Sequence, residues 1–359
     1  MKLKHALLLG LALGGAQILS GGLAQAKDLA VAYQIDPAHD GHVVFKSAFT
    51  GPLKQKWARD LGGTVSYPLI AGGMVFVTVA NTAGYGTQLY ALNLRSGETI
   101  WQKAISGTYY WSNAAYDNGQ IFVVNFDGLL QAFAADSVGT PEWAVQLPGQ
   151  YAFSAPPTAA HGQVFVGGAG SGGTLYAVDE SSGAVQWTQG VANGDDSSPA
   201  IGDKGVYVTY PCQYYKFHPS NGAVLWHTSR GCDGGGGDTP VYFDKRLYVR
   251  DWAEGNVVLD ADSGGILGSL AANVTPAFWQ SSSGQKLELS LYNGALNAID
   301  VTTGNIAWTF AGDGGLDIAP VTINDSVAIG SSSGNLYLLD AASGAQLWSG
   351  NVGAPCNVR

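Results

Sequence analysis

Charged residues are scarce in this chain. Asp, Glu, Lys and Arg make up 12% of its 359 residues, about half the share of an ordinary soluble protein. Basic residues are the rarer kind, with 17 Lys and Arg against 27 Asp and Glu, so the formal net charge is −10. A surface of that sign repels phosphate backbones and anionic lipids. The composition therefore argues against a nucleic-acid partner and leaves cations and neutral ligands open.

Long apolar runs are lacking beyond the amino terminus. The run that begins at Ala6 follows two lysines and ends before Ala24-Gln25-Ala26. This order is typical of a secretory signal peptide with a small-x-small cleavage site, and the glycines that interrupt the run leave it short for a membrane anchor. We predict a signal peptide over residues 1–26, export to the periplasm or the extracellular medium, and no integral membrane span.

Cysteine is limited to Cys212, Cys232 and Cys356. The chain has no C-x-x-C and no H-E-x-x-H, the spacings typical of metal sites. We therefore predict no metal site. In an exported chain, one disulfide and one unpaired thiol is the simplest arrangement of three cysteines.

A repeated unit occupies most of the remaining chain. In its full form an apolar strand ends in Asp or Asn, and Ser/Thr-Gly and a Trp follow, as in residues 89–101, 175–187, 296–308 and 336–348. The tryptophans of the series stand 39 to 44 residues apart, once Gly268 is counted where one Trp is missing. Each period holds two further strand signals upstream. A period of about 40 to 45 residues with four strands predicts an all-β propeller of four-stranded antiparallel blades.

The repeated residues have structural roles in this interpretation. The Gly supplies the positive φ of a tight turn between strands C and D, counted outward from the channel, and the Asp accepts hydrogen bonds from turn amides. The Trp packs between neighbouring blades. We assign this structural role to seven residues, which are Trp57, Trp101, Trp143, Trp187, Trp226, Trp308 and Trp348.

The motif L-Y-A-[LV]-[DN]-x-x-S-G-x-x-x-W resembles the PQQ-like repeat of the quinoprotein alcohol dehydrogenase-like superfamily. That superfamily also includes a propeller subunit of the bacterial outer-membrane assembly machinery. The resemblance implies a propeller over residues 42–350, between an amino-terminal extension (27–41) and a tail (351–359). We expect eight blades with an incomplete closing blade, in which His42 to Leu61 supplies strands C and D only. Seven blades with an extra amino-terminal hairpin, or a fragment, remain as alternatives.

Ligands of propellers favour the mouth of the central channel. The D–A and B–C loops emerge together on one face, where early D–A loops are aromatic and later ones acidic. We select as candidate ligand-binding residues Trp111, Tyr151, Phe153, Asp196, Asp238, Trp252 and Asp317. Aromatic rings beside carboxylates suit a sugar, a cationic ligand or calcium. In the alternative, the Asp residues cap turns and the aromatic residues pack beneath loops.

Two of the three cysteines fall on this same face. Cys212 lies in a B–C loop and Cys232 in the D–A loop that follows it, so we predict a disulfide between them. Such a bridge would also fasten the run Gly234 to Gly237, which is otherwise too flexible to hold one shape. Cys356 is expected to stay unpaired.

No catalytic set is recognisable, and we predict no cofactor. The leading hypothesis is an exported, noncatalytic, monomeric propeller that serves as a rigid binding platform for a small ligand. The resemblance implies two alternatives: a quinoprotein-like dehydrogenase with PQQ and calcium at the mouth, or a cell-envelope assembly scaffold that binds other proteins. The dehydrogenases of one major class carry adjacent cysteines beside the quinone, and this chain has no adjacent pair.

Overall fold

The computed structural model describes residues 29–45, 49, 51–80, 84–137 and 140–353. The predicted signal peptide, Cys356 and most of the predicted tail lie outside these residues. The described residues form 30 strands and no helix. They therefore contain no helix that could cross a membrane. The predicted all-β propeller is confirmed, and seven four-stranded blades form the ring.

The first strand, β1 (His42–Val43), joins the last blade. Blade 1 contains β2 (Thr64–Val65), β3 (Leu69–Ala71), β4 (Met74–Ala80), β5 (Thr87–Asn93) and β6 (Thr99–Ile105). Because β2 and β3 pair with opposite ends of β4, they act together as one interrupted inner strand. Blade 2 contains β7 (Ser112–Asp117), β8 (Gln120–Asn125), β9 (Leu129–Ala134) and β10 (Trp143–Gln146). Blade 3 contains β11 (Thr158–Ala160), β12 (Gln163–Ala169), β13 (Gly173–Asp179) and β14 (Val185–Val191).

The later blades repeat this order of four antiparallel strands, A to D from the channel outward. Blade 4 contains β15 (Ala200–Gly202), β16 (Gly205–Tyr210), β17 (Gln213–Phe217) and β18 (Val224–Ser229). Blade 5 contains β19 (Val241–Phe243), β20 (Arg246–Val249), β21 (Val257–Asp260) and β22 (Ile266–Ser269). Blade 6 contains β23 (Ala277–Gln280), β24 (Lys286–Tyr292), β25 (Ala295–Asp300) and β26 (Ile306–Phe310). Blade 7 contains β27 (Val321–Ile323), β28 (Ser326–Gly330), β29 (Asn335–Asp340) and β30 (Gln346–Asn351).

The burial of each strand follows from its place in the blade. Strand B packs between neighbouring blades on both faces, so it reads as a continuous apolar run, such as the fully buried β16. Strand D forms the outer edge and is much more exposed, as in β6, where four of the seven side chains face solvent. The core therefore lies between the blades, in a series of apolar layers around the ring.

The blade tryptophans lie in these layers and contact the next blade. The Trp187 indole N–H donates to the Pro219 carbonyl at 2.7 Å. Its ring covers Gly222, where an added Cβ would lie 2.5 Å from the ring. The same pair of contacts joins Trp57 to Leu94 and Gly97, and Trp308 to Ala341 and Gly344. Blade 5 has Gly268 in place of Trp, and the matching Gly304 of blade 6 accordingly meets nothing within 4 Å.

The amino-terminal part of the ring differs from the main expectation of an incomplete eighth blade. The structure has the seven complete blades of the alternative. Part of the predicted C–D hairpin over His42 to Leu61 lies outside the described residues, and the strand found among the described ones is β1. β1 instead pairs in parallel with the inner edge of β27. Trp57 still packs against blade 1 as a blade tryptophan.

The predicted amino-terminal extension enters the ring. Residues 29–43, which we call the channel segment, cross the central channel beside the inner strands. Their backbone carbonyls accept hydrogen bonds of 2.7 to 2.9 Å from strand-A amides of six blades, which are Ile70, Tyr116, Ile201, Tyr242, Phe278 and Thr322. His39 supplies the contact with blade 3, through a 3.3 Å hydrogen bond to the Thr158 hydroxyl. The channel segment therefore joins all seven blades.

His39 is the most deeply buried member of the channel segment, with 0% of its surface exposed. Its Nδ1 lies 3.3 Å from the Pro240 carbonyl, which can only accept, so Nδ1 carries the proton and Nε2 accepts from Thr158. Burial lowers the pKa of His39 to about 3. The ring is therefore neutral at ordinary pH, as its two partners require.

Candidate functional site

The two faces of the ring carry different connections. The A–B and C–D turns lie on one face, which we call the turn face, and the D–A and B–C loops lie on the other, the loop face. The strand-A amides that hold the channel segment lie near the A–B turns, so the segment closes the channel toward the turn face. The candidate site is the loop face, where the predicted binding residues were placed.

The seven predicted residues differ widely in exposure. Tyr151 is 66% exposed and Trp252 is 69% exposed. Asp196 and Asp317 are also exposed, whereas Trp111 and Asp238 are partly buried. These side chains belong to loops of different blades around the mouth.

Phe153 is the member of the set that lies beneath the loops. None of its surface is exposed, and its ring packs on Gly128, Gly168 and Tyr176. The two glycines leave the space that the ring fills, since a Cβ at either would lie within 2.5 Å of it. In this structure Phe153 supports the loop that carries Tyr151 and has no surface with which to touch a ligand.

An ion pair stands at the mouth beside blade 5. The Arg250 guanidinium lies 2.6 Å from the Asp238 carboxylate and 3.3 Å from the Thr275 hydroxyl. Thr275 also lies 3.1 Å from the Tyr33 hydroxyl of the channel segment. This chain of contacts links the mouth to the channel segment. Sequence reasoning missed Arg250, although its place at the end of strand B is a loop-face position.

Further carboxylates lie beside this ion pair. The Asp196 amide donates to the Ser154 hydroxyl at 3.1 Å, which joins it to the loop of Tyr151. Asp195 accepts from the Gly236 amide at 3.1 Å. Burial raises the pKa of both Asp196 and Asp238, and nearby carboxylates add to the effect. The site is therefore acidic, because its carboxyl groups outnumber the single guanidinium of Arg250.

The predicted disulfide between Cys212 and Cys232 is present, with the two Cα atoms 5.4 Å apart. The buried Asp251 carboxylate holds the same region. It accepts from the Cys212 amide at 2.9 Å and from the Tyr214 hydroxyl at 2.5 Å. Burial acts to raise the pKa of Asp251, but the Tyr214 hydroxyl and the surrounding amides together lower it below its usual value. The bridge and this carboxylate fasten the B–C loops of blades 4 and 5 to the glycine run.

Exposed aromatic rings line the loop face over blades 1 to 3. Tyr85 and Tyr110 stack with ring centroids 5.7 Å apart and planes 10° apart. Tyr109 lies against Phe126, with centroids 4.4 Å apart. Tyr85 was missed by sequence reasoning because it lies in a loop between two glycines, Gly84 and Gly86. An aromatic residue in a glycine-flanked loop is the signal that could have found it.

The described residues do not fit a calcium–quinone pair at the mouth. Within residues 29–45, 49, 51–80, 84–137 and 140–353, no three His, Cys, Asp or Glu side chains lie together as metal ligands. Two carboxylates of the loop face already have partners, since Asp238 pairs with Arg250 and Asp251 accepts from Tyr214 and backbone amides. The only disulfide among these residues joins cysteines 20 positions apart, rather than the adjacent pair of the dehydrogenases.

The turn face holds a depression of about 470 Å³ over the channel segment. Asp36 and Asp40 of that segment line it, together with Asp203, Asp244 and His161. Burial raises the pKa of Asp36, and burial together with the Asp36 charge raises the pKa of Asp40 to about 8. The Oδ1 atoms of both accept backbone amides of the same segment, so this carboxyl pair folds the channel segment locally.

Comparisons with known proteins agree with the fold. The family described as "Outer membrane protein assembly factor BamB" matches residues 9–109, 86–231 and 171–358. The outer membrane protein assembly factor BamB of Yersinia pestis is 26% identical over 353 residues, covering 84% of this chain and 83% of that protein.

Solved structures show the same architecture at lower identity. A europium-containing methanol dehydrogenase gives a TM-score of 0.71 at 15% identity, over 91% of this chain and 86% of that chain. BamB from Moraxella catarrhalis gives 0.59 at 20% identity, over 82% of this chain and 90% of that chain. At these identities the likeness shows the fold alone, because one propeller fold supports unrelated functions.

Proposed function

This chain belongs to the family described as outer membrane protein assembly factor BamB, and on that premise we propose that it is a noncatalytic scaffold of the bacterial cell envelope that binds other proteins. The small-ligand platform expected at the channel mouth gains no support from the comparisons. The assembly-scaffold alternative fits them better, since the Yersinia pestis protein that aligns with 84% of this chain is described as an outer membrane protein assembly factor.

The observation that carries the proposal is the closed channel. The channel segment occupies the space on the turn side, and Tyr33, Thr275, Arg250 and Asp238 continue the contacts to the mouth. Small-molecule sites are concave and enclose most of their ligand. A ring filled by its own chain instead offers broad outer surfaces, which suit the large, shallow contacts of protein partners.

The predicted export signal supports a place in the envelope. An assembly factor for outer-membrane proteins must work outside the cytoplasm, and residues 1–26 have the order of a signal peptide. We propose the periplasmic side of the outer membrane as the site of action and treat the extracellular option as the less supported one.

The test uses the bacterium that encodes the chain. Its gene is deleted, outer-membrane protein levels are measured, and the wild-type chain is crosslinked in intact envelopes and analysed by mass spectrometry. We expect crosslinks to identified components of outer-membrane protein assembly and lowered outer-membrane protein levels in the deletion strain. Recovery of uncrosslinked monomer alone, with unchanged outer-membrane protein levels, would contradict the proposal.

A second measurement addresses catalysis directly. The purified chain is titrated with PQQ and Ca²⁺ while absorbance and dye reduction with alcohols or sugars are followed. We expect neither saturable binding nor turnover. Saturable binding accompanied by dye reduction would overturn the noncatalytic assignment in favour of a quinoprotein-like dehydrogenase.

A further inference from the structure

The exposed rings of blades 1 to 3 form one feature of the loop face, which we call the aromatic row: Tyr85, Tyr109, Tyr110 and Tyr151. They are 77%, 55%, 40% and 66% exposed, respectively. The loops that carry them are bonded to one another, because the Gly86 amide donates to the Tyr109 carbonyl at 3.0 Å and the Phe153 amide to the Phe126 carbonyl at 3.0 Å. The row therefore extends over three neighbouring blades.

Each ring of the row is held in place by its neighbours. Tyr110 stacks on Tyr85, and Tyr109 lies on Phe126. Tyr151 covers Gly170, whose added Cβ would lie 2.6 Å from the ring, and its hydroxyl donates to the Gly170 carbonyl at 3.0 Å. Binding to rings that are already ordered costs little side-chain entropy. Rigid, exposed tyrosines are typical of surfaces that bind polypeptides.

Acidic groups border the row. Asp196 is exposed, and its amide is bonded to Ser154, three residues after Tyr151 in the same loop. Asp127 accepts from the Thr108 amide at 2.7 Å, next to Tyr109. The Arg250 guanidinium is engaged by Asp238 at 2.6 Å. A ligand that lies along the row therefore meets aromatic faces and carboxylates, and positive charge on the ligand complements them.

We propose that the aromatic row and Asp196 form a docking surface for an extended polypeptide segment that carries both aromatic and basic side chains. The inference rests on the proposed scaffold function and names the chemistry of its partner. Aromatic side chains of the segment would stack on the tyrosines, and Lys or Arg side chains would pair with the bordering carboxylates.

The test measures binding to the full chain by fluorescence anisotropy. The probe is a labelled ten-residue peptide of alternating Phe and Lys, and a matched peptide carries Glu in place of Lys. We expect saturable binding of the Lys peptide and none of the Glu peptide. Equal binding of both peptides, or binding of neither, would overturn the proposed chemistry.

Two variants locate the site, and the first has a matched control. Tyr110→Ala is expected to weaken binding of the Lys peptide about tenfold, in the range of an aromatic anchor at an interface. Tyr292→Ala is the control, because Tyr292 is 42% exposed on the same face but lies on blade 6. Asp196→Asn is expected to weaken binding about threefold and to reduce its salt dependence, as for an exposed charge at an interface. Equal losses in Tyr110→Ala and Tyr292→Ala would overturn the location.

Further measurements distinguish failure of this docking surface from failure of the proposed scaffold function. A soluble oligosaccharide, cellohexaose, is tested as a competitor; if it binds with the same dependence on Tyr110 and the Lys peptide does not bind, the surface is a glycan site and the inference is wrong. If the Lys peptide fails to bind while envelope crosslinks to assembly components persist, the docking chemistry is wrong and the scaffold function stands. If the crosslinks are absent, the scaffold function fails whatever the peptide does.

Discussion

The two faces of the ring use their residues in opposite ways. On the turn face, backbone groups do most of the work: the channel segment accepts amides from six blades, and the C–D turns place glycines under tryptophan rings. On the loop face, side chains project into solvent, as Tyr85 and Trp252 do at 77% and 69% exposure. On the turn face the channel is closed by hydrogen bonds between backbone carbonyls and amides, which do not depend on side-chain identity. The other face is therefore free to vary its side chains for binding.

This comparison divides the expected effects of mutation. Changes on the turn face and between the blades should lower the free energy of unfolding. Changes in the aromatic row should leave that free energy nearly unchanged and should alter binding.

Deletion of residues 29–41 should have the largest effect on stability. It removes six backbone acceptors of strand-A amides, and at about 1 kcal/mol net for each hydrogen bond the loss is on the order of 6 kcal/mol. Calorimetry and chemical denaturation of the exported chain measure it. An unchanged unfolding transition would show that the channel segment does not hold the ring together.

Trp187→Ala tests the packing between blades. It removes a ring that is 8% exposed and donates to Pro219, so the expected cost is about 3 to 5 kcal/mol. Trp252→Ala makes the same substitution on the loop face at a ring that is 69% exposed, and should change the free energy of unfolding by less than about 0.5 kcal/mol. Similar losses in both variants would show that the buried and the exposed tryptophan contribute equally to stability, contrary to the expected difference.

Gly222→Ala and Gly304→Ala separate backbone strain from contact with tryptophan. Both glycines have positive φ, 68° and 72°, so both variants bear a strain of about 1 kcal/mol. Only Gly222 lies under a ring, that of Trp187, whereas Gly304 has open space. Gly222→Ala should therefore cost about 1 to 3 kcal/mol more, as overpacking does. Equal costs from denaturant unfolding would show that the tryptophan contact adds nothing.

Asp40→Asn tests the raised pKa of Asp40 in the channel segment through the pH dependence of stability. Burial and the Asp36 charge raise the pKa of Asp40 to about 8, above its unfolded value near 3.8. The folded state therefore holds the proton more tightly, and this contribution to stability is present at low pH and is lost as the pH rises toward 8. Asn keeps the oxygen that accepts the His42 amide at 2.8 Å.

The effect is measured as the free energy of unfolding between pH 6.5 and 7.5. The wild-type chain should lose on the order of 1 kcal/mol relative to Asp40→Asn over this interval. His39 also titrates differently in the two states, since burial lowers its pKa to about 3 from an unfolded value of 6.5, but both chains carry it and its contribution cancels in the comparison. Parallel pH profiles for the two chains would contradict the assignment of a raised pKa to Asp40.

The repeat carried most of what could be predicted from the sequence. Residues such as Gly222 and Trp187 contact only their own hairpin and the neighbouring blade. The same residue types therefore recur about every 40 residues along the chain, and this period predicts the blades. The disulfide was predictable for the same reason, because the strand order assigns Cys212 and Cys232 to adjacent loops of one face.

The channel segment could not be predicted in this way. Its residues carry no repeat, and its position depends on hydrogen bonds to strands up to 281 residues away, such as that of Gly41 to Thr322. The pairing of β1 with the inner edge of β27 has the same origin, because it joins His42 to Thr322 across most of the chain. The place of Phe153 likewise depends on Gly128 and Gly168 in other loops, which leave room beneath it.

Site-specific photocrosslinking in the native envelope tests most directly whether the loop face is the docking face. A photoreactive amino acid replaces Tyr110 on the loop face or, as the matched position, exposed Lys204 in an A–B turn of the turn face. We expect adducts with an identified outer-membrane assembly component from position 110 and none from position 204. Adducts from position 204 alone, or equal adducts from both, would contradict it.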